Sequence, residues 1–461
     1  MLSETVLALS QWQLTLTNLL HLLFVPLSLG LSLLVAILEI RFLFTGDRHY
    51  LEAGRFWAKL FSIAFALSMI SRLAVLAQFG STGSYFARYA GDSFALPLAI
   101  EAFSSFFLAS VLFGPFWFGW VHLKPRQHAM LSSLLALSLH LSALWLICAY
   151  AWLDHPVGAF FNPESLRMEL SDSWQVLNNP ALSAYTLHFI GLAYAVAAGF
   201  IVSVCAWLQF NQVDNTIARS SLGLAASAGG VAILLLALHG NNQPASLAET
   251  VQQNTLRGID NHPQLSAIEN HIRNGLAAYR SLEAWREDEK NAPLPASFAQ
   301  QKTDMGYALL LKRWLPKLQN ANDQQIRLAA QSALPAQPQL LFWSHRLLTG
   351  AAMISLLLFV LAGYQALRRG AAQPVLAKLL LLALPLNGLL ALGDIVISRL
   401  LHQPWLVNEI LPAFLSYSSS SAKELIISLS LYTLTGAALI SIAVSVIVNI
   451  VRSTVPAGAS Q

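Results

Sequence analysis

Residues 14–40 read LTLTNLLHLLFVPLSLGLSLLVAILEI. A helix of this length reaches about 40 Å at 1.5 Å per residue. A membrane span needs about 20 mostly apolar residues. The run is too long for the apolar core of a signal peptide, and no basic segment or A-x-A cleavage site accompanies it. It reads as a retained membrane helix. Eight more runs follow, at about 57–78, 94–120, 128–152, 184–209, 220–239, 344–366, 376–400 and 425–450. Nine spans predict an all-α, polytopic membrane protein. The composition agrees: hydrophobic residues make up 56% of the 461 and charged residues 11%, against about 25% charge in soluble domains. The mean hydropathy is +0.55. A disordered chain is excluded, and an ordinary soluble enzyme is disfavoured.

Loop charges set an expected orientation. The short loops after spans one, three, five and seven, with the C-terminal tail, hold eleven Lys and Arg, among them Arg41, Arg55, Lys124, Arg219 and Arg452. The short loops after spans two, four and eight hold four, namely Arg88, Arg167, Arg399 and Lys423. The positive-inside rule then places the N-terminus outside and the C-terminus in the cytoplasm. The net charge of +4 reflects these loops and not nucleic-acid binding. Cys148 and Cys205 lie in apolar runs with no CxxC or Cys/His spacing, so zinc, iron–sulfur and disulfide-scaffold readings fail.

Three segments follow: 1–239 with spans one to six, 240–343, and 344–461 with spans seven to nine. The middle segment carries 19 of the 50 charged residues and is expected on the outer side. It is long for a connection, hence functional or disordered, and its pattern favours a partly helical fold. Ser266 and Glu269 have capping-box spacing, and Ile268, Ile272, Leu276, Tyr279 and Leu282 follow at helical spacing. Ser297 to Trp314 reads as a second helix, stopped by Pro316. A folded extramembrane segment suggests a docking site for a small molecule or partner.

Ionisable groups inside spans are costly and need a reason. They are His21, Arg72, Glu101, His140, His188 and Asp394, while Glu39 sits at a span end, where snorkelling accounts for it. Two lone histidines on different apolar helices suit axial ligation of haem iron, and interhelical hydrogen bonding is the plainer alternative. Glu101 reads equally as a proton-relay carboxylate or a paired buried acid. Arg72 reads as a propionate or carboxylate partner, or as a snorkelling cation. His140 reads as structural.

The residues His21-Leu-Leu-Phe-Val-Pro-Leu-Ser-Leu-Gly30, Gln78-Phe-Gly80, Tyr89-Ala-Gly-Asp92, Pro97-Leu-Ala-Ile-Glu101, Leu141-Ser-Ala-Leu-Trp145, Ile272-Arg-Asn-Gly275, Gly306-Tyr-Ala-Leu-Leu-Leu-Lys-Arg313 and Gln403-Pro-Trp405 leading to Glu409 occur in an ordered series. In that order and spacing they resemble subunit I of the cytochrome bd quinol oxidases, almost end to end. The resemblance implies quinol:oxygen oxidoreductase activity in a bacterial inner membrane, with three haems. His21 matches a ligand of one high-spin haem and Glu409 a ligand of the other, the pair being haem b with haem d or a second haem b. His188 matches one axial ligand of a low-spin haem b. Glu101 matches a proton-delivering acid, and Trp405 a tryptophan between haems. Segment 240–343 matches the quinol-binding loop. The implied partners are a second multispan subunit (subunit II), a small one-span peptide in some members, quinol, oxygen and the lipid bilayer.

This chain departs from the family pattern. Leu348 stands where the family has the second low-spin ligand, a methionine. Arg346 matches a family arginine, and His345, three residues before Leu348, is the candidate replacement ligand. Thr255 replaces the quinol-loop lysine and Asp260 its companion glutamate, with Arg257 as a compensating cation. Ala109 replaces a second proton-path acid, and Arg72 a small residue. Two further readings therefore stand beside the oxidase: a divergent paralogue that carries electrons or senses a ligand, and a non-haem proton-coupled membrane protein.

Overall fold

The computed structural model describes residues 4–211, 216–240, 253–255, 257–258, 262–287, 293–334, 338–368 and 373–454. Among the described residues nine helices are long and apolar enough to cross a membrane. They are α1 (Glu4–Thr45), α2 (Arg48–Gly80), α3 (Ser84–His122), α4 (Pro125–Asp154), α5 (Leu182–Phe210), α6 (Thr216–Gly240), α9 (Pro338–Leu367), α10 (Pro374–Leu401) and α11 (Ala422–Arg452). Each predicted span lies inside one of them. Between α6 and α9 stand α7 (His262–Glu287) and α8 (Asp323–Ser332).

α1 and α5 form the interior: 72% and 78% of the apolar windows of their spans are buried, against 22% for α3 and 17% for α11. Lipid is as apolar as leucine, so close helix approach relies on small residues. α5 supplies Gly191, Ala195, Ala197, Ala198 and Gly199. Gly30 of α1 lies against Ala197, where a Cβ would collide with that methyl. A Cβ at Gly199 would sit 2.7 Å from the Ala383 carbonyl. α3 widens into a π turn at Ala102–Phe106, directly after Glu101, and such turns commonly occur at functional positions.

The α7–α8 region has its own apolar core. Ile268, Ile272 and Leu276 repeat every four residues and pack with Tyr307, Leu311, Leu318 and Ile326. Complete burial of such a side chain contributes about 1.5–3 kcal/mol. Two expectations are corrected here. α7 begins at His262, so Ser266 lies inside it, and its hydroxyl donates to the Pro263 carbonyl instead of capping. Residues 297–314 are not one helix. They break into Ala296–Gln301 and Met305–Leu309, joined and followed by 3₁₀ turns. The break falls where the Asp304 carbonyl presses on Gly275 of α7, a contact that any Cβ would obstruct.

Two short hairpins complete the end of the bundle at which α1 begins. Strands β1 (Ala159–Asn162) and β2 (Arg167–Leu170) pair antiparallel, as do β3 (Trp405–Val407) and β4 (Leu411–Pro412). The α7–α8 region is tied to this end: Arg313 pairs with Glu4 at 3.3 Å, and Arg286 donates to the Pro163 carbonyl at 3.2 Å.

Candidate functional site

The predicted residues fall into three clusters. In the first, His21 of α1 faces α2, with Nδ1 3.1 Å from Ser71 Oγ. The Ser71 hydroxyl already donates to the Ser68 carbonyl at 3.0 Å, so it can only accept from the ring. Nδ1 therefore carries the proton and Nε2 presents a lone pair. A metal-ligating histidine needs this arrangement, with its other nitrogen donating to a fixed acceptor. Beside it, the Glu101 carboxylate accepts from Arg72 Nη2 of α2 and Ser142 Oγ of α4. Glu101 is 0% exposed and Arg72 4%. Of the two readings of Glu101, the paired buried acid is the one the geometry displays, and Glu101 is also the carboxylate partner expected for Arg72. Among the described residues Arg72 Nε is buried with no acceptor.

The second cluster joins α5 to α10. His188 Nε2 lies 2.9 Å from Asp394 Oδ2, with both side chains about one-third exposed. Asp394 was conspicuous in the sequence as a lone acid in span eight, and His188 explains it. Leu348 of α9 packs against Gly393, where a Cβ would approach its Cδ2 to 2.6 Å. His345 and Arg346 are exposed. The Arg346 guanidinium stacks 3.1 Å from the centre of the Phe342 ring.

The third cluster joins the β3–β4 hairpin to the α7–α8 region. Glu409 sits at φ 58°, in the left-handed region where a non-glycine residue is held by its surroundings. Gly306 holds it there. A Cβ at Gly306 would run into the Glu409 carbonyl. Tyr307, next in sequence, donates its hydroxyl to Glu409 Oε1 at 2.9 Å. Burial, then the Glu409 charge and the hydrogen bond to it, push the Tyr307 pKa up, so Tyr307 stays a donor. Trp405 meets the Tyr307 ring edge-on at 5.1 Å, and His271 stacks on it at 4.8 Å. His271 Nδ1 and Asn274 Nδ2 each reach the Asp304 carboxylate at 2.9 Å.

Two of the three positions fit haem iron directly. His21 offers Nε2, and Glu409 offers Oε2, which carries no hydrogen bond among the described contacts. At His188 the Nε2 faces Asp394, so ligation there requires that contact to rearrange. Arg257 is exposed in a turn on Gln253 and Asn254. Asp260 lies outside the described residues. His140 is structural as expected: Nδ1 bonds the Ala136 carbonyl at 2.7 Å and Nε2 the Tyr194 hydroxyl at 2.6 Å.

Glu39 overturns its expectation. It is 3% exposed and does not snorkel. His128 Nδ1 lies 2.8 Å from Oε2, and the Ser132 hydroxyl donates to Oε1 at 2.8 Å. A partner on another helix was available, and single-sequence reading has no signal for it. Ser142 and Tyr307 were missed as functional groups for the same reason, although the Leu141–Trp145 and Gly306–Arg313 motifs contain them.

A sequence model of the family described as cytochrome bd terminal oxidase subunit I matches residues 9–455. The chain is 30% identical over 482 residues to the cytochrome bd-II ubiquinol oxidase subunit 1 of Escherichia coli K12, covering 93% of this chain and 94% of that one. It is 35% identical over 249 residues to the cytochrome bd ubiquinol oxidase subunit 1 of Bacillus subtilis, covering 54% and 52%. Among solved structures, the bd oxidase of Geobacillus thermodenitrificans superposes with a TM-score of 0.72 at 18% identity, over 98% of this chain and 100% of that chain.

Proposed function

We infer the function from the premise that the chain belongs to the cytochrome bd terminal oxidase subunit I family: it is a membrane subunit of a quinol oxidase, passing electrons from quinol to oxygen. The match over residues 9–455 carries this reading. Haem, when bound, supplies the electron relay and the oxygen-reducing iron. We assign His21 and Glu409 as ligands of a high-spin pair, haem b with haem d or a second haem b, and His188 as a ligand of a low-spin haem b. Among the described residues neither His21 Nε2 nor Glu409 Oε2 carries a hydrogen bond, which supports the first assignments. Tyr307 orients Glu409 by its 2.9 Å hydrogen bond, and Trp405 packs on Tyr307, so the loop and the ligand hairpin act as one unit.

Glu101 is the candidate inner proton donor to the oxygen-reducing site. Both its oxygens are engaged, by Arg72 and Ser142, so proton transfer through it requires the Arg72 pair to open. At the low-spin site the position of Leu348 offers no donor atom, and His345 is the candidate replacement. The α7–α8 region, with Arg257 and Asp260, is the candidate quinol side. The loop charges support an outer N-terminus, a cytoplasmic C-terminus and a multi-pass placement in a bacterial inner membrane, beside a subunit II and, as in some members, a small one-span peptide.

The test is a reduced-minus-oxidised spectrum of the purified complex, with oxygen uptake driven by a short-chain ubiquinol. Haem bands with quinol-dependent uptake are expected. Haem without uptake moves the protein to the electron-carrying paralogue. Absence of any haem band ends the reading.

A further inference from the structure

One cluster plays no part in the chemistry above. Asp154 closes α4, Tyr185 stands in the first turn of α5, and His402 follows α10. Asp154 Oδ1 lies 3.4 Å from His402 Nε2, and Oδ2 lies 3.3 Å from His155 Nδ1. The Tyr185 hydroxyl lies 3.5 Å from the same His402 Nε2. His402 Nδ1 lies 2.6 Å from the Ser398 carbonyl, which can only accept. In the neutral ring Nδ1 therefore carries the proton, and Nε2 is the nitrogen that can gain one.

A proton gained there meets the Asp154 carboxylate. Burial opposes the charge on His402, and so does Arg399. The Asp154 hydrogen bond and charge, with the Ser398 carbonyl, outweigh both and raise the pKa above the usual 6.5. The charged and titratable groups around His402 are Asp154 from α4, His155 beyond it, Tyr185 from α5 and Arg399 from α10. The site is open: the His402 side chain is 43% exposed and that of Asp154 27%. It is also well placed. Tyr185 precedes His188 by three residues on α5, so the two share a helix face one turn apart.

We propose that His402, with Asp154 and Tyr185, holds a hydroxyl of the quinol headgroup and accepts its proton during oxidation. The proposal rests on the quinol oxidase reading and names the base it requires. A quinol becomes a quinone by losing two hydroxyl protons and two electrons. The electrons end on oxygen, the acceptor of the reaction. The first proton passes to His402 Nε2, where Asp154 stabilises the charged ring, and then to solvent. The second hydroxyl loses its proton to water at this open rim. Tyr185 contributes a hydrogen bond to the headgroup.

The experiment compares wild type with His402→Gln, Asp154→Asn and Tyr185→Phe in the whole complex. Oxygen uptake is measured with a short-chain ubiquinol from pH 5.5 to 8.5, and separately with an artificial one-electron mediator that bypasses quinol. His402→Gln is expected to lower quinol kcat at least ~100-fold, the low edge of general-base effects, with mediator-driven uptake kept. Quinol oxidation needs the neutral ring, so wild-type activity rises through the His402 pKa. Asp154→Asn lowers that pKa and moves the acid limb to lower pH. Tyr185→Phe raises KM more than it lowers kcat. Wild-type quinol kinetics and pH profile in both His402→Gln and Asp154→Asn overturn the assignment. Mediator-driven uptake without any quinol oxidation in the wild type overturns the quinol reading itself.

Discussion

Replacing Arg72 tests the packing of the bundle and the site together. Its cation is 4% exposed and pairs with Glu101, which is 0% exposed. Arg72→Met keeps an aliphatic side chain of similar reach and leaves the Glu101 carboxylate with the Ser142 hydroxyl alone. Breaking a buried pair by removing one partner costs about 3–5 kcal/mol, because the remaining charge is uncompensated. At about 2.1 cal/mol/K of unfolding entropy per residue, a chain of 461 residues shifts by about 1 °C per kcal/mol, so Tm should fall by on the order of 3–5 °C. Arg72→Met combined with Glu101→Met removes both charges and relieves the unpaired Arg72 Nε. The double variant is expected to melt near or above wild type, since apolar replacement of a buried pair is often neutral or stabilising. Thermal melts of the four proteins in one lipid or detergent system give the coupling energy. An Arg72→Met protein that melts with wild type refutes the buried pair. A double variant that loses the sum of the two single effects refutes the coupling.

Other outcomes follow from the same geometry. Gly306→Ala puts a methyl into the Glu409 carbonyl, so the hairpin and its carboxylate should shift, and the high-spin haem content per chain should fall while the low-spin band persists. Glu39→Ala strips His128 and Ser132 of their shared acceptor and should lower Tm, whereas Arg41→Ala, two residues away and exposed, should not. The raised pKa of His402 fixes a sign for stability: its contribution is whole below about pH 6.5 and disappears as pH rises through the folded value. Melting temperatures should therefore fall across that interval in wild type, and less so in Asp154→Asn. His345 is the candidate low-spin ligand in place of Leu348, so His345→Leu should abolish or shift the low-spin absorption band, and an unchanged band excludes His345 as the ligand.

The spans could be read from composition alone because the bilayer gives one dominant rule, and a run such as residues 14–40 satisfies it without help from the rest of the chain. The four-residue repeat of Ile268, Ile272 and Leu276 gave α7 for the same reason: periodicity is local. What could not be read were pairings between helices. Glu39 lies 89 residues from His128, Arg72 lies 29 from Glu101, and His188 lies 206 from Asp394. Sequence distance carries no trace of these contacts. Yet each charge inside a span did announce a need, since an unpaired ion in that position is costly. Such a charge predicts that a partner exists without saying which residue it is, and the error at Glu39 came from accepting a snorkelling explanation that needed no partner. The break at Asp304 belongs with these pairings. Residues 297–314 have adequate local helix pattern, but α7 presses its Gly275 against the Asp304 carbonyl, and tertiary contact overrides the local preference. The same break brings Tyr307 to Glu409, so the feature that defeated the local reading is also what joins the extramembrane region to a candidate haem ligand.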